Sequence, residues 1–174
     1  MKKQLLVSLS FILAAFIIFF CFLLINNDIG IAESRLLGDI RSEQHISDDW
    51  EVDGLASDEI AAYISYPADQ SDHTFSVYVN RPGISFGYFF RGGGSLSFVQ
   101  SQIAEFTVEG YNERAFISMN EQNVERLEID DGNDIQVIDI ESSKPFAIIL
   151  PVNAGNITFY DVNGDVVEYL RNPL

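Results

Sequence analysis

Leu5–Ile25 reads LLVSLSFILAAFIIFFCFLLI, with Ser8 and Ser10 as its only polar residues and no charge. A run of this kind has one stable form in hydrocarbon, because lipid offers no partner to backbone N–H and C=O groups and a helix satisfies them internally. A hydrocarbon core of about 30 Å takes about 20 apolar residues at about 1.5 Å rise each. The run fits, and it predicts a transmembrane helix over 5–25 embedded in the lipid bilayer. Lys2 and Lys3 stand before it, whereas the next basic residue after it is Arg35. The charge bias predicts a cytoplasmic N-terminus (1–4) and a C-terminal part outside the cell membrane. The rival is a cleaved secretory signal, whose apolar region is shorter, about 7–15 residues. Gly30-Ile31-Ala32 supplies a small-x-small site, so secretion after cleavage at Ala32 is the alternative. Phe19 and Phe20 occupy positions where a lipid-attachment signal has small residues. Cys21, the single cysteine, is therefore read as an apolar residue in lipid.

With Cys21 in the membrane, the exported part has no thiol and no disulfide framework, and packing alone must stabilise it. It carries 8 basic against 26 acidic residues, a net of −18. Binding to nucleic acid or to anionic lipid headgroups needs cationic surface, so both are set aside. Lys144 is the one lysine among those eight; the others are arginines, which keep their charge where lysine loses it, near pH about 10. The acidity is read first as a solvated surface; the sharper reading is adaptation to a salty or alkaline exterior.

Residues 26–49 are mostly polar and are expected to form a tether, with one short helical piece around Ala32–Ile40. From Trp50 onward short apolar runs alternate with clusters of Gly, Asn, Asp and Pro, the pattern of an all-β domain over 50–174. Ser57-Asp58-Glu59 resembles a helix start. Ile60–Tyr66 is nevertheless read as a strand, because Tyr63, Ile64 and Tyr66 favour one and Pro67 ends it early. Thr74–Asn80 alternates, with Phe75, Val77 and Val79 on one face and Ser76 and Tyr78 on the other. After a turn at Arg81-Pro82-Gly83, Ile84–Arg91 follows with Ile84, Phe86, Tyr88 and Phe90 on one side, and Gly92-Gly93-Gly94 is expected to end it. Further strands are expected at Leu96–Val99, Ile103–Glu109, Arg114–Met119 and Phe146–Leu150. Two hairpins are expected, Val124–Ile129 with Asp134–Ile140, and Ile157–Asp161 with Val166–Leu170 through Asn163-Gly164. Connections this short favour antiparallel neighbours. Inward faces such as Phe75/Val77/Val79, and Phe116 with Ile135/Val137, need a second layer. The expected fold is an antiparallel β-sandwich of Ig-like type, with a small β-barrel as the alternative.

No cofactor, metal or catalytic residue is expected. His45 and His73 have no partner at a metal-binding spacing and are read as exposed polar residues. Gly94-Ser95-Leu96-Ser97 lacks the last glycine of a nucleophile elbow and follows a glycine run instead of a strand. Asp161-Val162-Asn163-Gly164-Asp165 has its glycine in the wrong place for a calcium loop. The turn aspartates are read as serving backbone geometry. The segment RPGISFGYFFRGGGS is the one candidate recognition surface. Arg81 and Arg91 flank it in a domain poor in cations, and Tyr88 and Phe89 could add flat contact area, so these four residues are the expected ligand-binding set. The function expected is a non-enzymatic binding module at the cell envelope, engaging an envelope component or a neighbouring membrane protein. An immunity-type or inhibitory partner of a basic protein, or an envelope hydrolase, are the alternatives.

Overall fold

The computed structural model describes residues 2–81 and 85–174, with the side chains of the N-terminal helix described from Leu9 onward. Lys2, Lys3 and the turn residues Pro82, Gly83 and Ile84 thus carry sequence expectations that lie outside the described side chains. The helix α1 spans Lys2–Ile25. Among the described residues no helix is long and apolar enough to cross a membrane. The described side chains of α1 are almost all exposed, Leu23 being the buried exception.

Twelve strands follow among the described residues: β1 (Glu51–Ala56), β2 (Ile60–Tyr66), β3 (Thr74–Asn80), β4 (Tyr88–Gly94), β5 (Ile103–Thr107), β6 (Glu113–Ser118), β7 (Val124–Asp130), β8 (Ile135–Asp139), β9 (Phe146–Pro151), β10 (Asn156–Asp161), β11 (Val166–Val167) and β12 (Tyr169–Pro173). They form three four-stranded sheets, ordered β1-β2-β3-β4, β12-β5-β6-β9 and β11-β10-β7-β8. All pairings are antiparallel except β12 with β5. The all-β expectation holds. The number of layers differs from a two-sheet sandwich, because the sheet β12-β5-β6-β9 is covered on both faces.

The alternation along each strand explains the stack. Phe75, Val77 and Val79 of β3 and Ile60, Ala62 and Ile64 of β2 meet Ala104, Phe106, Ala115 and Ile117 on one face of the central sheet. Phe75 and Phe106 stack there with centroids 4.6 Å apart. The other face of the same strands presents Ile103 and Phe116, which meet Leu127, Ile129 and Phe159 of the third sheet. Strands buried on both faces are apolar at consecutive positions, as Ala115-Phe116-Ile117 and Phe146–Leu150 are. Ile135 and Val137 are corrected to the outer face, where both are exposed; Ile138 is the β8 residue packed inward.

Residues 26–49 are built onto the domain and do not form a free tether. The helix α2 (Leu36–Glu43) follows a 3-10 turn at Glu33–Arg35. Leu36 and Ile40, one turn apart, are fully buried against Ala61, Tyr63, Tyr78 and Tyr88 on the outer face of the first sheet. Burial of each is worth about 1.5–3 kcal/mol. The sequence hides this because only two positions of a short polar helix carry the contact.

Other differences are local. Leu96–Val99 is not a strand: α3 (Ser97–Ser101) makes one helical turn that points Val99 into the core. Gly92-Gly93-Gly94 lie within β4, paired with β3. β1 differs from the expectation of no strand there: its sequence, Glu51-Val52-Asp53-Gly54-Leu55-Ala56, holds a glycine and no regular apolar alternation. At the β10–β11 hairpin only Gly164 has positive φ. The Asp161 carboxylate accepts the Asn163 and Asp165 amides at 2.9 and 2.8 Å and shapes the rest of the turn. His73 is buried, its Nε2 3.1 Å from the Leu96 carbonyl, which corrects the expectation of an exposed ring.

Two buried tyrosines of the first sheet, Tyr66 on its core face and Tyr78 under α2, give the domain an alkaline limit. Burial, with Glu51 and Asp53 beside it, pushes the Tyr66 phenol up from 10.0 to about 12. Burial and the Asp39 carboxylate, 2.8 Å from its hydroxyl, push Tyr78 up as well. Such groups hold their proton more tightly in the folded chain, so their contribution is complete below about pH 10 and is lost as pH rises towards the folded value. Urea midpoints measured from neutrality upward should be flat and then fall between pH 10 and about 12. Tyr66→Phe should shallow that fall; an unchanged slope would show that Tyr66 does not drive it.

Candidate functional site

Three turns meet at one end of the first two sheets and leave an open cleft of about 430 Å³. The β1–β2 turn brings Asp58 and Glu59, the end of β3 brings Asn80 and Arg81, and the β5–β6 turn brings Tyr111 and Asn112. Backbone bonds fix the walls. The Asn80 amide donates to the Glu59 carbonyl at 2.7 Å, and Asn80 Nδ2 donates to the Asp58 carbonyl at 2.9 Å. Glu59 reaches across to the third turn, where its carboxylate accepts Asn112 N at 2.6 Å and Asn112 Nδ2 at 2.8 Å. Those two bonds hold the Glu59 carboxyl below its ordinary range. Beneath the floor, Ser57 Oγ accepts the Ile60 amide at 3.1 Å and donates to the Glu113 carboxylate of β6, tying the first sheet to the second.

Arg81 supplies the positive charge. Its guanidinium lies 3.9 Å above the Phe89 ring, a cation–π contact, and Nη1 donates to the Asn27 carbonyl at 3.3 Å. Burial raises the Tyr111 phenol, while the Arg81 and Arg91 charges oppose the shift.

The expected binding set is brought together in part. Arg81 and Phe89 act as one unit at the cleft. Arg91 is exposed further along β4, opposite the chain end, with Nη2 3.4 Å from the Leu174 carbonyl. Tyr88 points to the opposite face of its strand, into the layer beneath α2, and its hydroxyl donates to the Ser57 carbonyl. It is buried and offers no contact surface. Asp58, Glu59, Asn80, Tyr111 and Asn112 were missed. Their turns are far apart in sequence, and Ser57-Asp58-Glu59 read locally as a helix cap. The signal that was present is the density of Asp, Asn and Gly at both turns.

The cleft offers donors and acceptors of both charges within one small volume. It suits a polar ligand bearing a cationic and an anionic group, or a polar turn of a partner protein. Among the described residues no group of three or more His, Cys, Asp or Glu side chains could hold a metal ion. No known protein family, no curated protein and no solved structure matches the chain.

Proposed function

We propose that the chain is a membrane-anchored, extracytoplasmic β-domain that binds an envelope component or neighbouring membrane protein without catalysis, through the Arg81 cleft. The observation that carries the binding reading is the cleft itself: the Arg81–Phe89 unit faces Asp58 and Glu59 across a walled space at the α1 end of the domain. The anchor reading is supported by the uncharged run Leu5–Ile25 and by the exposed Phe, Leu and Ile side chains of α1. Retention of that run is supported by the paired backbone on both sides of Gly30 and Ile31, which cleavage at Ala32 would remove from the edge of β4. A hydrolase is less well supported, because both oxygens of the Glu59 carboxylate are already engaged by Asn112 N and Nδ2.

A photo-crosslinker at Tyr111, attached to a membrane-impermeant tag and used in intact cells, tests the reading. A defined adduct is expected at Tyr111 and not at Ile135 on the outer face of the third sheet. Arg81→Gln should remove at least about nine-tenths of it, a loss of about 1.4 kcal/mol or more in binding. An adduct pattern unchanged by Arg81→Gln would discard the cleft as the binding site, and absence of labelling at both positions would discard the outside location.

A further inference from the structure

The junction between α1 and the β domain has no slack. The chain leaves the helix through a turn in which the Asp28 amide donates to the Leu23 carbonyl at 2.9 Å. It then runs beside the start of β4. Phe86 N donates to Asp28 O at 2.8 Å, Gly30 N to Phe86 O at 2.6 Å, Ile31 N to Tyr88 O at 2.8 Å and Tyr88 N to Ile31 O at 2.8 Å. The two backbones approach so closely that a Cβ at residue 30 would sit 2.5 Å from the Tyr88 carbonyl, so only glycine fits there. The helix is therefore bolted to the domain edge.

This junction leaves large apolar side chains uncovered. Phe86 is 56% exposed and Ile29 39% exposed. With Phe16, Phe19, Phe20 and Leu23 they line a groove of about 320 Å³ along the last two turns of α1. Phe16 to Leu23 spans about 10 Å of helix axis, and every lining side chain is apolar. Arg81 reaches the Asn27 carbonyl just past the helix end.

We propose that this corner is a lipid-contact collar: Phe86 and Ile29 insert beside α1 below the headgroups, the groove takes an acyl chain, and Arg81 stands at the level of the lipid phosphate. The inference rests on the anchor reading above and deepens it. Lipid is favoured as the occupant because the groove continues the exposed apolar surface of α1 without a polar break. An aromatic side chain beside the membrane-entering helix, with an arginine above it, is the arrangement that interfacial anchoring uses. The strongly acidic domain would be repelled by anionic lipid, so the matching surface is zwitterionic, with Arg81 meeting the phosphate singly. The collar would seat the domain directly on the bilayer, with the Arg81 cleft opening at the headgroup plane.

The full chain in zwitterionic phosphatidylcholine vesicles decides the matter. In a Trp50→Phe background, a single tryptophan is placed by Leu13→Trp on α1, by Phe86→Trp in the collar, or by Val137→Trp on the exposed outer face of the third sheet. Lipids brominated on their acyl chains quench tryptophan that lies among them. Leu13→Trp and Phe86→Trp should each lose about half of their emission or more, as expected for side chains below the headgroups, and Val137→Trp should lose none. Ile29→Trp repeats the measurement from the other wall of the groove, so misfolding of one variant does not decide the result. Quenching of Leu13→Trp alone would overturn the collar and leave the anchor standing. Quenching of neither would overturn the anchor and the collar together. A blue-shifted but unquenched Phe86→Trp would mean that protein, such as a second copy of this chain, fills the groove, and the proposal would fail.

Discussion

Arg114→Met is expected to cost about 3–5 kcal/mol of folding stability, because it strands a carboxylate in the core. Glu105 is 1% exposed between the central and third sheets. Its Oε1 accepts Arg114 Nη1 at 2.7 Å, and its Oε2 accepts Arg171 Nε at 3.2 Å. The two arginines are not equivalent. The Arg114 side chain is 9% exposed and shares the burial of Glu105, whereas that of Arg171 is 78% exposed, so water screens its charge. Removing Arg114 leaves Glu105 with a screened partner and the full desolvation cost. Replacing both residues, as Glu105→Leu with Arg114→Met, removes that cost together with the attraction and should be far milder than the single change. Urea unfolding of the wild type, both single variants and the double variant gives the coupling directly. If the double variant loses the sum of the single losses, the pair is not coupled and the interpretation fails.

Phe116→Ala should destabilise by a similar amount, about 3–5 kcal/mol, for a different reason. Phe116 is fully buried and stands between two aromatic neighbours, Phe159 at 5.3 Å and Tyr169 at 5.3 Å between centroids. These three rings come from β6, β10 and β12 and close the space between the central and third sheets. Alanine would leave a cavity that two rigid rings cannot collapse into. A domain of this kind has about 5–15 kcal/mol in hand, so thermal melting should move down by many degrees. Ile135→Ala is the matched comparison. On the exposed outer face it should change stability by no more than about 0.5 kcal/mol. Equal effects from the two substitutions would mean that β8 is turned the other way.

The Ile135 comparison marks where local reading stops. Alternation showed that β8 has two different sides. It could not show which side meets a neighbour, because an apolar residue on an open sheet face has the same sequence pattern as one in a core. The same limit applies to Tyr88 and Phe89, adjacent residues on one strand. Both belong to the expected recognition surface, whereas the pleat sends the first under α2 and the second beneath Arg81. Arg81 could be singled out because cations are scarce in this chain. Glu59 and Asn112 could not, since their contact spans 53 residues and depends on two turns arriving at the same end of the stack.

What the chain encodes locally is most of the strands and the two late turns, with β11 reduced to Val166–Val167 where a strand through Leu170 is expected, because period-two alternation and turn chemistry act over a few neighbouring residues. Phe75/Val77/Val79 and the β7–β8 pairing needed nothing more. The tertiary structure alone decided that the sheet β12-β5-β6-β9 lies between two others, that β12 joins it in parallel, and that Leu36 and Ile40 close its neighbour from outside. Those choices depend on how much apolar area each pair of layers removes from water, a quantity summed over segments distant in sequence and absent from any one of them.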